Sequence, residues 1–225
     1  IVSAIFSDDA VVKYYKYEGE SLWREYTGSI VVSENDTKIL FFSKDAAGNE
    51  YETEYTVTNI DKTAPVISNI TWTPDSATNS NVIVTADFGD ADVKEYSLDG
   101  SNWFKYVNGV TMSGNGTVYF RSIDQAGNIS AVGSYTVSNI DKTAAVLTLS
   151  ADKTALTNGK VVVSAAASEA GTISYQINGG EWKTDYVDGV EMTANGTVTF
   201  KFVDAAGNET ISEYVVGNID VTAPE

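Results

Sequence analysis

The side chains best suited to chemistry in this sequence are carboxylates. Asp61, Asp87, Asp90, Asp92 and Asp124 fall in a linker, a short acidic loop and a turn. Histidine and cysteine are both missing from the chain. That removes serine–histidine and cysteine–histidine nucleophiles, imidazole- or thiolate-held metals and disulfides. Oxygen donors suit a hard cation, and calcium takes about six to eight oxygens from carboxylates and carbonyls. These five aspartates are therefore candidate calcium ligands. Asp141, Glu169 and Asp204 form a thinner second set. The alternative reading of both sets is a solvated cluster of acidic loops.

Other residues invite a chemical role and a plain one. Asp45, Asp124 and Asp204 each open the run Asp-x-Ala-Gly-Asn, with Gly48, Gly127 and Gly207 at its fourth position. An aspartate that starts a tight turn accepts main-chain N–H bonds, and the glycine supplies positive φ. Recurrence in every copy argues for a structural turn, because a catalytic carboxylate is not expected three times. Trp23, Trp103 and Trp182 also recur, and core or edge packing explains them better than sugar stacking. Trp72 occurs once. With Tyr106 and Tyr14 it is a candidate for an aromatic ligand-binding surface, the ligand being carbohydrate or a host surface. Asn115 and Asn195 read as turn residues before threonine. No lysine recurs at an inward position, so no Lys–Asn crosslink is expected.

The elements that must position these residues are organised by repetition. Asp-x-Ala-Gly-Asn and Asn-Ile-Asp-x-Thr-Ala recur every 79 or 80 positions, and so does the tryptophan. Three markers with one period divide the 225 residues into copies 1–64, 65–144 and 145–225. Such a period is long enough for a self-contained all-β domain. Copy 2 carries seven runs with two-residue alternation: 66–72, 82–88, 93–98, 103–106, 110–113, 117–124 and 132–138. Inward positions are Ile39 and Phe41, Val118 and Phe120, Val198 and Phe200 on one strand. Tyr15 and Tyr17, Tyr96 and Leu98, Tyr175 and Ile177 lie on a second. Tyr55 and Val57, Tyr135 and Val137, Tyr214 and Val216 lie on a third. The pattern predicts an all-β chain of tandem seven-stranded sandwiches, with copy 1 lacking its first strand (strand A). The open edge invites strand addition, although both ends also read as cut from a longer array. Copy 3 is entered through Ala144-Ala145 where copy 2 has Ala64-Pro65, which predicts a looser junction.

Composition narrows the partners. Lys and Arg number 14 against 31 Asp and Glu, a formal charge of −17. Such a chain repels phosphate, so nucleic acid is not an expected partner. No apolar run approaches the roughly 20 residues of a membrane span, so membrane insertion is not expected either. A hydrophobic content of 43% supports a real core.

The runs Tyr-Ser-Leu-Asp-Gly-x-x-Trp, Asn-Gly-Thr-Val-x-Phe, Asp-x-Ala-Gly-Asn and Asn-Ile-Asp-Lys-Thr-Ala-Pro resemble the bacterial immunoglobulin-like repeats of extracellular surface proteins and large secreted enzymes. The resemblance covers the whole chain. It implies Ig/fibronectin-III-like sandwiches on the bacterial surface or outside the cell, monomeric and set among neighbouring domains of a longer chain. It also implies a non-catalytic spacer or stalk presenting an adhesive or enzymatic domain. The competing reading is an adhesin module that binds carbohydrate or a host ligand.

Overall fold

The structure is a computed structural model, and it describes residues 1–224. Among them every regular element is a β-strand, as two-residue alternation of apolar side chains dictates. All named pairings are antiparallel, in small sheets of three or four strands. By contact the chain divides into two units: Ile1–Pro65 with Ile123–Ile129, and Val66–Ser122 with Ser130–Glu225.

Unit 1 contains β1 (Ala10–Tyr17), β2 (Arg24–Glu25), β3 (Lys38–Asp45) and β4 (Glu50–Thr56), in the sheet order β2-β1-β3-β4. Opposite them runs the segment 1–6, whose one ladder contact is the bridge Val2↔Ile30. Ile30, Ile39 and Phe41 are buried, and Val2, Ala4, Phe6, Tyr15 and Tyr26 pack against them.

Unit 2 begins with β5 (Ser68–Thr73), β6 (Val82–Asp87), β7 (Val93–Ser97), β8 (Phe104–Lys105), β9 (Val110–Met112), β10 (Gly116–Ile123) and β11 (Gly133–Val137). They form the sheets β5-β6-β9 and β11-β10-β7-β8. Then come β12 (Leu147–Ala151), β13 (Val161–Ala167), β14 (Gly171–Ile177), β15 (Val190–Met192), β16 (Gly196–Asp204) and β17 (Glu209–Val216). Their sheets are β12-β13-β15 and β14-β16-β17. The part of copy 3 that corresponds to β8 is reduced to the bridge Tyr175↔Lys183. Each of the three hydrophobic clusters draws its residues from one copy. Such small sheets, each burying one face, are consistent with tandem Ig-like sandwiches.

Two inward assignments fail, for different reasons. Leu98 is exposed, because β7 ends at Ser97 and turns at once. Ser97 takes the inward place, and its Oγ bonds the N–H groups of Asp99 and Gly100. Tyr55 is 49% exposed, although its counterparts Tyr135 and Tyr214 pack against their cores. In those copies a first strand covers the tyrosine, and in unit 1 none does.

The linkers are part of the fold. Ile140 and Ile219 form parallel bridges with Thr78 and Thr157. The amide of Asn115 spans Ile140, donating to its carbonyl at 2.9 Å and accepting its N–H at 2.9 Å. Asn195 grips Ile219 in the same way, and Asn35 grips Ile60. Asn115 and Asn195, read as simple turn residues, therefore clamp the linker that follows their repeats, as Asn35 does in copy 1.

Candidate functional site

The Asp-x-Ala-Gly-Asn turn has one geometry three times. Asp204 Oδ1 accepts the Asn208 N–H at 2.8 Å, and Oδ2 accepts Asn208 Nδ2 at 2.8 Å. Asp45 holds Asn49, and Asp124 holds Asn128, with the same pattern. Gly48, Gly127 and Gly207 sit at φ of 92°, 89° and 90°, a region open to glycine and strained for other residues. In each turn the asparagine side-chain N–H is the largest influence on the carboxyl, which is held below its ordinary pKa.

The asparagine is what the turn presents. In unit 2, Asn208 Nδ2 also donates to the Asp141 carbonyl at 3.0 Å, clasping the linker between copies 2 and 3. In unit 1, Asn128 Nδ2 donates to the Asp61 carbonyl at 3.1 Å. Asn79 adds two bonds to the same turn of copy 3, from its N–H to the Ala206 carbonyl and from Nδ2 to the Gly207 carbonyl, both 2.9 Å. These bonds lie beside the Ala144-Ala145 entry to copy 3. Ala145 is buried, and its carbonyl accepts the Thr210 hydroxyl at 2.6 Å. The spacing of Asn128 and Asn208, 67 positions after Asp61 and Asp141, was the sequence signal for this clasp.

An acidic triad lies beside the clasp. One carboxylate oxygen each from Asp141, Glu169 and Asp204 lies within 4.8 Å of the other two. Asp204 is buried, Asp141 half-buried and Glu169 exposed. Asp204 already accepts three N–H bonds, from Ala206, Asn208 and Asn208 Nδ2. A carboxylate has about four lone-pair sites, so one is left for a ligand. Asp141 Oδ1 accepts the Thr143 N–H, leaving its other oxygen for the centre. Three carboxylate oxygens and no softer donor suit calcium and disfavour transition metals. Of the five aspartates first proposed, Asp61 and Asp124 belong to unit 1, and Asp87, Asp90 and Asp92 to unit 2. Asp61 Oδ1 accepts the Thr63 N–H, and Asp87 Oδ1 accepts the Gly89 N–H.

The aromatic candidates divide. Tyr106 turns into the core: its ring lies 4.7 Å from Phe88 and 5.8 Å from Phe120, and its hydroxyl accepts the Ala86 N–H at 3.3 Å. Tyr26 and Tyr186 hold the same place, with hydroxyls on Ala4 and Ala165. Tyr106 is therefore a packing residue. Its 80-residue recurrence, Tyr26–Tyr106–Tyr186, was available in the sequence. Tyr14 is half-buried on β1, paired with Phe42 and Glu25. Trp72 stacks on Tyr135 at 3.9 Å and stays 37% exposed. The three recurrent tryptophans each lie under a cation: Lys16 over Trp23 at 4.6 Å, Arg121 over Trp103 at 4.3 Å and Lys201 over Trp182 at 5.3 Å. Phe42 stands where the other copies have Arg121 and Lys201. It packs on Trp23, and the cation comes from β1 instead.

No protein-family model matches the chain, and no curated protein matches it. Solved structures do. A structure concerned with host cell surface retention of a 1.5-MDa bacterial ice-binding adhesin is 19% identical, with a TM-score of 0.45, over 90% of this chain and 83% of that one. A Ca2+-stabilized adhesin that helps an Antarctic bacterium reach out and bind ice is 19% identical, with a TM-score of 0.46, over 96% of this chain and 66% of that one. The N-terminal eight Ig domains of Down Syndrome Cell Adhesion Molecule are 13% identical, with a TM-score of 0.38, over 96% of this chain and 33% of that one. The chain resembles tandem Ig-like domains, those of bacterial adhesins among them.

Proposed function

We propose that this chain is a non-catalytic spacer of Ig-like modules in a bacterial extracellular or cell-surface protein, holding a neighbouring adhesive or enzymatic domain at a distance. One observation carries the reading: the most strongly repeated motif is spent on the chain connection. Asn208 clasps the Asp141 carbonyl, and Asp204 holds Asn208 in place. A linker gripped by the next repeat has fewer accessible conformations, which is what a stalk needs. Calcium at Asp141, Glu169 and Asp204 would reinforce the grip by joining the linker to two loops of copy 3.

Scattering and melting of the whole chain test this reading. Millimolar calcium should raise the melting temperature relative to chelator, and Glu169→Gln should abolish the difference. Asn208→Ala should broaden the distribution of lengths. Turnover of a substrate by this chain, or a length distribution indifferent to both Asn208→Ala and chelator, would refute the spacer. A second reading, carbohydrate binding, is favoured by the exposed Trp72–Tyr135 stack. Binding on a glycan array that Trp72→Ala abolishes would establish it.

A further inference from the structure

Six asparagines stand in the run Asn-x-Ser/Thr: Asn35, Asn69, Asn115, Asn128, Asn195 and Asn208. That run is the acceptor for a sugar linked through the asparagine amide. The fold spends five of the six amides. Asn35, Asn115 and Asn195 each donate from Nδ2 to a linker carbonyl and accept a linker N–H through Oδ1. Asn128 and Asn208 commit Nδ2 twice, to the aspartate of their own turn and to a linker carbonyl. Ser130, which completes the run begun by Asn128, is buried as well.

No clamp of this kind holds Asn69. It lies on β5, at the edge of the sheet β5-β6-β9. The pairing of β5 with β6 jumps from Ser68↔Asp87 to Thr71↔Thr85, so Asn69 and Ile70 together face Ala86. Two residues opposite one make a β-bulge. The counterpart β12 runs from Leu147↔Ala167 to Ala151↔Val163 without a jump. Trp72 and Ala151 hold the same place, opposite Val84 and Val163, yet the stretch from Ala64 to Trp72 is one residue longer than that from Ala144 to Ala151. Ile70 keeps the inward place and packs on the core. The added residue is Asn69, exposed and at a φ of 47°. Besides glycine, asparagine is among the few residues that enter this region readily. Thr71 is exposed too, and its hydroxyl meets that of Thr85 at 2.7 Å. Copy 2 therefore carries an Asn-Ile-Thr run outside the repeated clamps and turns, with asparagine and threonine exposed and isoleucine packed inward.

We propose that Asn69 is a glycosylation site, taking a single hexose from a nucleoside-diphosphate sugar on a separate transferase. Asn69 Nδ2 attacks the anomeric carbon of the donor. The carbon–nitrogen bond forms as the carbon–oxygen bond to phosphate breaks. The nucleoside diphosphate leaves with the electron pair, and one Nδ2 proton passes to a base of the transferase. The fold selects among the six acceptors, because a clamped amide must first open two hydrogen bonds, whereas the bulge sets Asn69 outside the ladder. A sugar on this edge strand would also block its pairing with a second chain.

Mass mapping tests the proposal. The whole folded chain is incubated with UDP-glucose and a soluble transferase that modifies Asn-x-Ser/Thr, and the peptides bearing each run are followed with time. Asn69 should gain one hexose, and the other five should react at least about tenfold more slowly. In a protease digest of the same chain, where the clamps are gone, all six should react at comparable rates. Thr71→Ala should abolish modification of Asn69, and Thr71→Ser should preserve it. Asn69 lagging behind any clamped asparagine in the folded chain, or reacting equally well in Thr71→Ala, overturns the proposal. A digest in which Asn69 alone reacts overturns it too, because the fold would then not be what selects the site.

Discussion

Removing the Tyr186 hydroxyl should show how much the bond from a packing tyrosine to the neighbouring strand contributes. Tyr186 Oη accepts the Ala165 N–H at 2.8 Å and donates to the Ala165 carbonyl at 3.0 Å. Ala165 is buried on β13, so no water replaces the lost partner. An unpaired buried N–H costs about 2 kcal/mol. The ring contacts with Phe200 and Tyr175, at 5.6 and 6.4 Å, survive in Tyr186→Phe. In a domain of this size that cost lowers the melting temperature on the order of 10 °C. It also speeds exchange of the most protected copy-3 amides roughly thirtyfold. Tyr106 makes one longer bond, at 3.3 Å to Ala86, so Tyr106→Phe should cost about 0.5 kcal/mol. Hydrogen exchange resolved by peptide reads both variants in the whole chain. Equal losses at the two positions, or no loss at Tyr186, would refute the reasoning.

Two further perturbations have a clear sign. The carboxyls of Asp45, Asp99, Asp124 and Asp204 are all held below their ordinary value, that of Asp99 by N–H bonds from Asn102 and Ser101 and by the Ser97 hydroxyl. A carboxyl depressed by folding stabilises the fold above its unfolded pKa, near 3.9, and that stability is lost as pH falls toward the folded value. Melting temperature should therefore hold from pH 7 to about 5 and drop below about 4, with a shallower drop in Asp99→Asn. Lys201→Met should shift Trp182 fluorescence and cost about 0.5 kcal/mol, because the ammonium lies over an indole that is 41% exposed. Unchanged emission would place the cation elsewhere.

Much of the architecture was legible because it rests on periodicity. Alternation picked out Ile39, Phe41, Val118, Phe120, Val198 and Phe200, all buried. Side chains two apart on a strand must share a face. The alternation could not mark where a strand stops. Leu98 continues the pattern of Tyr96 by two, yet the Asp99 turn takes over first. The Asp-x-Ala-Gly-Asn turns were equally readable, because glycine at positive φ and an aspartate collecting N–H groups are local chemistry.

What the sequence determined by itself is the repeat, its strand periodicity, its acidic oxygen-donor chemistry and the turns, all of which depend on residues close together in the chain. Tertiary structure alone decided which distant groups meet. Asn208 reaches Asp141, Asn195 grips Ile219, Tyr186 caps Ala165, and Glu169 joins Asp141 and Asp204. These contacts depend on how strands far apart in the chain lie against one another, and hydrogen bonds over a few ångströms leave no periodic trace within any one repeat.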